Sequence, residues 1–257
     1  KVLKMNYRTA VILCGGKGTR LGLIGRKLPK TLVKIQNFPI IWYIINSLKK
    51  NSINHFILPV GYKGNKIKRY FEKNNNFDDL KIDIISTGDD TPIAKRIFKI
   101  KNKIISKDFL LLNGDAIFDF NIKKILKMHI KKKIDITFLG TKVQLPFGVV
   151  KFRKKKIVDF KRDTEFDTIS YSREKGFISK IYSGICILKK KTLNLNFRNY
   201  KNFEKEFYPK LIKKSKSEFK DIKGPWFSID NNKDIISLNS KKNNFNYKTI
   251  NKIKKNL

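Results

Sequence analysis

Cysteine, histidine and long apolar runs are scarce in this sequence of 257 residues. The two cysteines, Cys14 and Cys186, are too few for a disulfide framework or a four-ligand zinc site, which is typical of a reducing cytoplasm. The two histidines, His55 and His129, neighbour no serine, cysteine or metal-ligand pattern, so a hydrolytic triad and histidine-bound zinc are not supported. The runs AVILC and PIIWYII fall far short of the roughly 18 apolar residues that span a bilayer. Since a signal-peptide cleavage site is also missing, we predict a cytoplasmic protein without a membrane segment.

Acidic residues are also few. The 21 Asp and Glu residues face 59 Lys and Arg residues, which gives a net charge of +38. Clustered basic residues bind nucleic acid by releasing counterions. The excess here is mostly Lys, scattered along the chain and accompanied by Asn, Ile and Phe, which all have A/T-rich codons. We therefore interpret it as a compositional bias spread over a solvated surface and do not expect nucleic acid as a partner. A polyanionic partner remains an alternative, and the positive field attracts anionic substrates in either case.

Apolar strand-like segments alternate with helical patterns in the first half of the chain. Strands are predicted at 8–14, 55–60, 81–86 and 108–113, and helices at 39–50, 64–74 and 93–105. Because strands that alternate with helices imply right-handed crossovers, we predict an α/β, Rossmann-like fold with a mainly parallel mixed central sheet flanked by helices. With 40% hydrophobic residues, the chain can bury a full core.

The rhythm changes after a predicted strand at 135–141. Shorter extended pieces follow, FGVVKF, KIVDFKR and KIYSGICIL, and then a helix at about 202–215. We interpret this half as a mixed-sheet region of the same domain. The last segment, 241–257, is polar, and we expect it to be a loosely packed tail.

The stretch AVILCGGKGTRL at 10–21 carries a buried strand into three glycines. Loops at the carboxyl edge of a parallel sheet bind ligands in such folds, and glycine amides can surround phosphate oxygens while Arg20 supplies a forked cation. Two better-known phosphate motifs do not fit. The dinucleotide motif Gly-x-Gly-x-x-Gly does not match, because three residues and not two separate Gly18 from Gly22. The Walker motif requires Ser or Thr after its lysine, whereas Gly18 follows Lys17.

The blocks GGKGTRL and LPKTLVKI resemble the signature of the sugar-1-phosphate nucleotidyltransferases. Within this family the chain is most similar to the glucose-1-phosphate cytidylyltransferases, through PIIWYIINSL, INHFILPVGYKGNKIKRYF, STGDDT and GPWFSID. The resemblance runs with interruptions from about residue 9 to 235. It implies a GT-A-like nucleotidyltransferase fold and an enzyme that couples a sugar 1-phosphate with a nucleoside triphosphate, CTP being favoured. The products would be pyrophosphate and a nucleotide sugar, the latter for the synthesis of surface polysaccharide.

The resemblance also implies which residues hold the triphosphate. An attack on the α-phosphorus requires cations that neutralise charge and hold the reactants in line. The implied catalytic residues are Arg20, Lys30 and Asp115. The implied nucleotide-binding residues are Cys14, Gly15, Gly16, Gly18, Thr19, Arg20 and Gly114.

Two aspartates are the implied ligands of Mg²⁺, the expected cofactor. Asp115 ends the strand-like run DFLLLNGD, and Asp230 lies in GPWFSIDNNKD, which matches a pattern of Gly224, Trp226, Asp230 and Asp234 without a gap. Magnesium prefers one or two carboxylates together with phosphate oxygens. We therefore expect both aspartates to lie in one crevice with Lys30 and residues 14 to 20.

A second group is implied for the sugar phosphate. Glu174 would accept a sugar hydroxyl, Lys175 would hold the phosphate, and the pocket would be lined by Ser183, Gly184 and Gly148. We therefore predict one nucleotidyltransferase domain over 1–257, with a nucleotide-binding half at about 8–141 and a sugar-phosphate-binding half at about 142–240. A homo-oligomer is left open.

One segment departs from the cytidylyltransferase pattern. Where the family has Thr-Gly-Gly-Arg closing on the base, this chain has Ile93-Ala94-Lys95-Arg96. The added side chains weaken the choice of CTP. A guanylyl- or uridylyltransferase for heptose or hexose 1-phosphates is the alternative, since NFEKEFYPKLI resembles the heptose-phosphate guanylyltransferases. An alternative of another class is a catalytically silent nucleotide- or polyanion-binding protein.

Overall fold

A computed structural model describes residues 8–144, 148–162, 164–166, 168–169, 178–241 and 245–257. Seven strands form its central sheet: β1 (Thr9–Leu13), β2 (His55–Val60), β3 (Lys81–Ser86), β4 (Asp108–Asn113), β5 (Ile136–Thr141), β6 (Ser179–Lys189) and β7 (Ser217–Asp221). The helices are α1 (Gly22–Lys27), α2 (Ile40–Lys50), α3 (Gly64–Glu72), α4 (Ile93–Ile100), α5 (Ile122–Lys131), α6 (Phe203–Lys214), α7 (Asn232–Asn239) and α8 (Phe245–Asn256).

The order of the strands across the sheet is β7–β5–β6–β4–β1–β2–β3. Among these seven, β6 runs antiparallel to both of its neighbours, and the other pairs are parallel. This arrangement confirms the predicted α/β fold with a mostly parallel sheet. The carboxyl ends of β1, β2, β3 and β4 consequently meet at one edge of the sheet, where such folds bind ligands.

Helices cover both faces of the sheet because alternate residues of each strand point to opposite sides. In β1, Ala10 and Ile12 join one apolar cluster together with side chains of α2, α3, α5, α7 and α8. Val11 joins the other cluster together with side chains of α4 and α6. Strand β2 is buried along its whole length, which accounts for the continuous apolar run in its sequence.

Short strand pairs lie outside the central sheet. They are Lys34–Ile35 with Phe38–Pro39, Ala116–Phe118 with Trp226–Ser228, Val143–Gln144 with Glu165–Phe166, and the hairpin of Val149–Arg153 with Lys156–Lys161. A further short strand, Thr168–Ile169, pairs with β6.

The prediction of a loosely packed tail at 241–257 is wrong for the part of it that the structure describes. Residues 245–256 form helix α8, in which Ile250 and Ile253 are fully buried. The amide of Gln36 donates to the carbonyls of Leu238 and Tyr247, so α7 and α8 are both fixed to the segment after β1. The predicted helix at 93–105 is also shorter than expected, because α4 ends at Ile100 and a 3₁₀ turn follows.

Among the helices that the structure describes, none is long and apolar enough to cross a membrane.

Candidate active site

The glycine-rich loop, residues 14–18, leaves the carboxyl end of β1 between β4 and β2. The backbone of Cys14 forms an isolated parallel β-bridge with Val60 of β2. The Cys14 side chain is buried, and burial raises the pKa of its thiol. Gly18 has a φ of +62°, in the left-handed region that side chains rarely adopt. A Cβ on Gly16, in contrast, would meet no atom within 4 Å. The loop therefore presents open backbone to solvent, where a ligand can approach it.

A short strand pair brings Asp115 and Asp230 together. Strand Ala116–Phe118 pairs with Trp226–Ser228, and the amide of Ile229 donates to the carbonyl of Asp115 at 2.9 Å. Lys30 Nζ lies 2.8 Å from Asp115 Oδ2 and 3.1 Å from Asp230 Oδ1, and the Lys30 side chain is only 15% exposed. The structure thus brings these three residues into one crevice, as the sequence predicted, while their catalytic and metal-binding roles stay predictions.

Arg20 contributes a second cation to this crevice. Its Nη1 lies 3.3 Å from Asp230 Oδ1 and its side chain is 76% exposed, so the guanidinium is free to turn toward a bound anion. Asp230 Oδ2 accepts a hydrogen bond of 2.6 Å from Ser228. Burial of the Asp230 carboxyl opposes ionisation, but the Ser228 hydrogen bond and the charges of Lys30 and Arg20 outweigh burial and lower its pKa. Asp230 is therefore an anion at neutral pH.

Gly114 and Thr19 complete the predicted nucleotide-binding set. A Cβ on Gly114 would lie 2.7 Å from Thr31 Cγ2 and 2.8 Å from the carbonyl of Leu13, so glycine permits close packing of β1 against the turn that carries Lys30. Thr19 begins a short 3₁₀ turn directly after the loop and is exposed. Both residues lie next to the crevice, and their contact with a nucleotide stays a prediction.

Two further residues position the crevice: Ser228, which the sequence analysis did not single out, and Asp234, which it named only as part of the pattern around Asp230. Ser228 holds Asp230 as described above, and Asp234 accepts hydrogen bonds from the amides of Asp230 and Asn231 at 2.7 and 2.9 Å. Asp234 and Asn231 form a capping box at the start of α7. The spacing Asn-x-x-Asp before an apolar segment is the signal that could have revealed this cap.

Arg96 lies beneath the glycine-rich loop and was predicted only as part of the altered 93–96 segment. It is 4% exposed, and its guanidinium donates to Gly15, Val60, Thr87 and Asp89. Burial lowers the pKa of Arg96, although the nearby charges of Asp89 and Asp90 oppose this. Within the described part of the chain, no carboxylate forms an ion pair with it.

A pocket of about 500 Å³ opens beside the loop. Its lining comes from the segment after β1, with Lys17, Thr19 and Arg26, and from the loops after β2 and β3, with Tyr62, Asp89 and Asp90; we call these two sets its walls. Lys17 Nζ and Asp90 Oδ1 form an ion pair of 2.6 Å between the walls. The pocket is adjacent to the crevice because Thr19 directly precedes Arg20, and its size suits a small ligand.

The sugar-phosphate group is only partly visible. Glu174 and Lys175 lie outside the described residues. The Ser183 hydroxyl is buried and donates to the carbonyl of Leu139 at 2.8 Å, so this hydroxyl is used inside the sheet. Gly184 has a φ of +77°, and a Cβ there would lie 2.7 Å from Asn113, two residues before Asp115.

Gly148 directly precedes the hairpin of Val149–Arg153 and Lys156–Lys161, whose strands pair with each other and not with the central sheet. A Cβ on Gly148 would lie 2.4 Å from the ring of Phe160. This contact accounts for the glycine by packing within the hairpin. Its predicted contact with a sugar remains untested.

In the described ranges, no group of three or more His, Cys, Asp and Glu side chains could hold a metal ion by itself. The two carboxylates of the crevice could hold an ion only together with ligands from a substrate or water.

A glycine-rich loop after a strand and a crevice with two carboxylates, a lysine and an arginine suit the binding of phosphates, and sequence comparison identifies the class of protein. Residues 9–243 match the nucleotidyl transferase family, so the chain belongs to this family. The resemblance to sugar-1-phosphate nucleotidyltransferases is confirmed.

Two relatives and one solved structure illustrate the match. The chain is 30% identical over 250 residues to a probable glucose-1-phosphate cytidylyltransferase of Bacillus subtilis, with 90% of this chain and 94% of the relative covered. It is 29% identical to the mannose-1-phosphate guanyltransferase of Aspergillus oryzae, and the match covers 89% of this chain and 62% of that relative. The crystal structure of HddC from Yersinia pseudotuberculosis shares the fold with a TM-score of 0.67 at 23% identity, covering 95% of this chain and 99% of that one.

Proposed function

We propose that this chain couples CTP with a sugar 1-phosphate, producing a CDP-sugar for surface polysaccharide synthesis and pyrophosphate. The observation that supports this most is the convergence of Lys30, Asp115 and Asp230 beside an open glycine-rich loop. An oxygen of the sugar phosphate attacks the α-phosphorus of CTP, a P–O bond forms there, and the bond to the pyrophosphate leaving group breaks.

The residues of the crevice suit this reaction because both reactants are anions. Gly16 is exposed with open space around it, so backbone amides of the loop can meet phosphate oxygens there. Arg20 lies in the same crevice with an exposed guanidinium that can neutralise charge on the attacked phosphate. Lys30, held by two carboxylates in a partly buried position, is a preorganised cation for the leaving pyrophosphate. Lys175 would hold the sugar phosphate, Glu174 would accept a sugar hydroxyl, and Gly184 would line the sugar pocket, so that the reactants lie in line.

Magnesium is the proposed cofactor, and the donor set fits it. Oxygens of Asp115 and Asp230 both lie within about hydrogen-bond distance of one point, the Lys30 ammonium, so they can also face one cation. Two carboxylates completed by phosphate and water oxygens are the usual surroundings of Mg²⁺. Asp115 and Asp230 would hold the ion, which when bound neutralises and orients the phosphates.

Support for CTP comes from the Bacillus subtilis relative, which aligns over almost its whole length. The guanylyl alternative has its own support in the Aspergillus oryzae relative and in helix α6, whose sequence resembles the heptose-phosphate guanylyltransferases. Since both relatives have similar identity, a direct measurement must decide between them.

The decisive experiment measures pyrophosphate release with CTP, UTP, GTP and ATP against a panel of hexose and heptose 1-phosphates in the presence of Mg²⁺. A cytosine pocket leaves buried groups unpaired when UTP binds, at about 1 to 3 kcal/mol per group, so kcat/KM for CTP should exceed that for UTP at least about tenfold. The highest kcat/KM with GTP would establish the guanylyl alternative. Absence of turnover with every pair would favour the silent binding protein.

Substitution of the two carboxylates tests the proposed site. Asp115→Asn and Asp230→Asn should each reduce kcat by about two to three orders of magnitude, because each removes a charged carboxylate that would hold the Mg²⁺ ion. The matched control is Asp79→Asn, which removes an exposed carboxylate 2.8 Å from Lys49 and should leave kcat unchanged. Circular dichroism would check that all variants fold. Unaltered Mg²⁺-dependent rates in both crevice variants would exclude the assignment.

A further inference from the structure

Arg96 has a role in this molecule that its place in the sequence does not reveal. Its guanidinium is buried, and no carboxylate in the described part of the chain forms an ion pair with it. A buried cation is costly unless neutral acceptors satisfy its N–H groups. The acceptors that surround Arg96 are therefore the basis for inferring what it does.

Those acceptors come from the ends of three adjacent strands. Nη1 donates to Val60 O at 3.2 Å and to Thr87 Oγ1 at 2.5 Å, at the ends of β2 and β3. Nη2 donates to Gly15 O at 3.0 Å, just beyond β1, and to Asp89 O at 2.9 Å, in the loop after β3. One guanidinium is thus hydrogen-bonded to the segments at the carboxyl ends of β1, β2 and β3.

Two glycines leave the space that this guanidinium fills. A Cβ on Gly15 would lie 2.3 Å from Arg96 Cζ, and a Cβ on Gly61 would lie 2.5 Å from Arg96 Nη1. Neither distance is possible for real side chains without displacement of the arginine. Glycine at both positions therefore makes room for Arg96, and at Gly61 also for the carbonyl of Gly88, 2.8 Å from such a Cβ.

The tied segments form the two walls of the pocket beside the crevice. Gly15 belongs to the glycine-rich loop that continues into the wall with Lys17 and Thr19, and Asp89 belongs to the opposite wall. Because Arg96 donates to Gly15 on one side and to Asp89 on the other, its hydrogen bonds fix the distance between the two walls.

We propose that Arg96 is a positioning residue that sets the width of the nucleotide cleft and does not recognise the base. The proposal rests on the proposed nucleotidyltransferase function. Each Nη carries two hydrogens, and all four are used by protein acceptors. A base could take an η hydrogen only after a bond that holds the cleft had broken.

Kinetics of Arg96→Ala and Arg96→Lys test this proposal. Loss of the ties should raise the KM of every accepted nucleoside triphosphate about tenfold or more, while the KM of the sugar phosphate and the ratio of kcat/KM between nucleotides change less than about threefold. Arg96→Lys should restore the nucleotide KM only in part, because an ammonium lacks the planar, forked set of N–H donors of a guanidinium. Guanidinium ions added to Arg96→Ala should lower the nucleotide KM again by filling the cavity. A changed ratio between nucleotides would overturn the proposal in favour of base recognition.

Hydrogen–deuterium exchange gives a readout that does not require turnover. Amides at 15–18 and 87–91 should exchange faster in Arg96→Ala than in the native chain. The control is Arg198→Ala, which removes an exposed guanidinium 5.4 Å from the ring of Phe98 on the same helix α4 and should leave both segments unchanged. Unchanged exchange in Arg96→Ala would overturn the proposal. If the native chain shows no turnover, the proposed function fails while this measurement still decides the role of Arg96.

Discussion

The three glycines of the glycine-rich loop are there for three different physical reasons. Gly15 leaves space for the Arg96 guanidinium, and Gly18 adopts a φ of +62°. Gly16 has neither constraint, because a Cβ there meets no atom within 4 Å and its φ is not positive. The fold therefore does not require glycine at this position, and the proposed approach of phosphate oxygens would give a reason for it.

Gly16→Ala should separate binding from folding. The melting temperature should change by less than about 2 °C, because the added methyl group enters open space. The KM for the nucleotide should rise about tenfold, because the methyl group stands where phosphate oxygens approach the backbone. Thermal unfolding and steady-state kinetics measure the two effects. The control is Gly25→Ala, whose Cβ would lie 2.2 Å from the carbonyl of Gly18 and should lower the melting temperature. A Gly16→Ala enzyme with native KM would contradict the phosphate-binding role.

His55 makes stability depend on pH. It is buried between Thr9 Oγ1 at 2.9 Å and Asp83 Oδ2 at 3.0 Å, and desolvation lowers its pKa despite the opposing effect of Asp83. The unfolded chain binds a proton near the usual pKa of about 6.5, so it gains protons before the folded chain does. Stability contributed by neutral His55 is thus complete above pH of about 6.5 and is lost as the pH falls toward the lowered folded-state pKa.

Urea unfolding at pH 7.5 and pH 5.5 should therefore show a smaller free energy of unfolding at the lower pH. In His55→Gln this difference should be smaller, because glutamine does not titrate. Groups that do not contact His55 contribute equally to both proteins, so the change in this pH dependence reports on His55 together with its partner Asp83. If the free energy of unfolding changes equally between the two pH values in both proteins, His55 does not titrate differently in the folded and unfolded states.

At the scale of elements, the sequence predicts best what is buried and periodic. The bounds of β2, β3 and β4 were predicted to the residue. Strands β2 and β4 are short, largely apolar buried runs, whereas β3, KIDIIS, is only partly buried and has isoleucines among polar residues. Helix α8 was missed, because only a few apolar residues such as Ile250 and Ile253 alternate with lysines and asparagines in it. Its burial depends on contacts with α7 and with the segment around Gln36, which no local pattern reveals.

The same distinction applies to the site. Lys30, Asp115 and Asp230 could be predicted because each follows a strand or turn within a motif that resembles a family. Arg96 and Ser228 could not, since a single arginine or serine has no periodicity and its partners are distant in sequence. Only the pairing of Ala116–Phe118 with Trp226–Ser228 shows how the two carboxylates reach one lysine.

Helix α8 should be part of the cooperative core. Ile250→Ala should lower the free energy of unfolding by about 2 to 5 kcal/mol, because it removes a fully buried side chain and leaves a cavity. Lys255→Ala, at an exposed position of the same helix, should change it by less than about 0.5 kcal/mol. Urea unfolding compares the two variants. Equal small effects would mean that α8 unfolds separately from the sheet.

At the scale of the whole molecule, the net charge of +38 contrasts with the few acidic groups of the crevice. Asp115 and Asp230 are compensated locally by Lys30 and Arg20, so the crevice itself is close to balanced. The excess positive charge is therefore available as a long-range field that attracts anionic substrates. This gives the scattered lysines a consequence for the reaction, whatever the origin of their abundance.

The field predicts a specific dependence on salt. Raising the ionic strength from about 0.01 M to about 0.15 M shortens the screening length from about 30 Å to about 8 Å. The kcat/KM for the nucleotide should then fall about tenfold, while kcat changes little, because contacts inside the occupied site are screened less than the approach to it. Steady-state kinetics in KCl, compared with glycine betaine at the same osmolality as an uncharged control, measures this. A kcat/KM that is independent of KCl, or a loss confined to kcat, would show that the surface charge does not assist substrate binding.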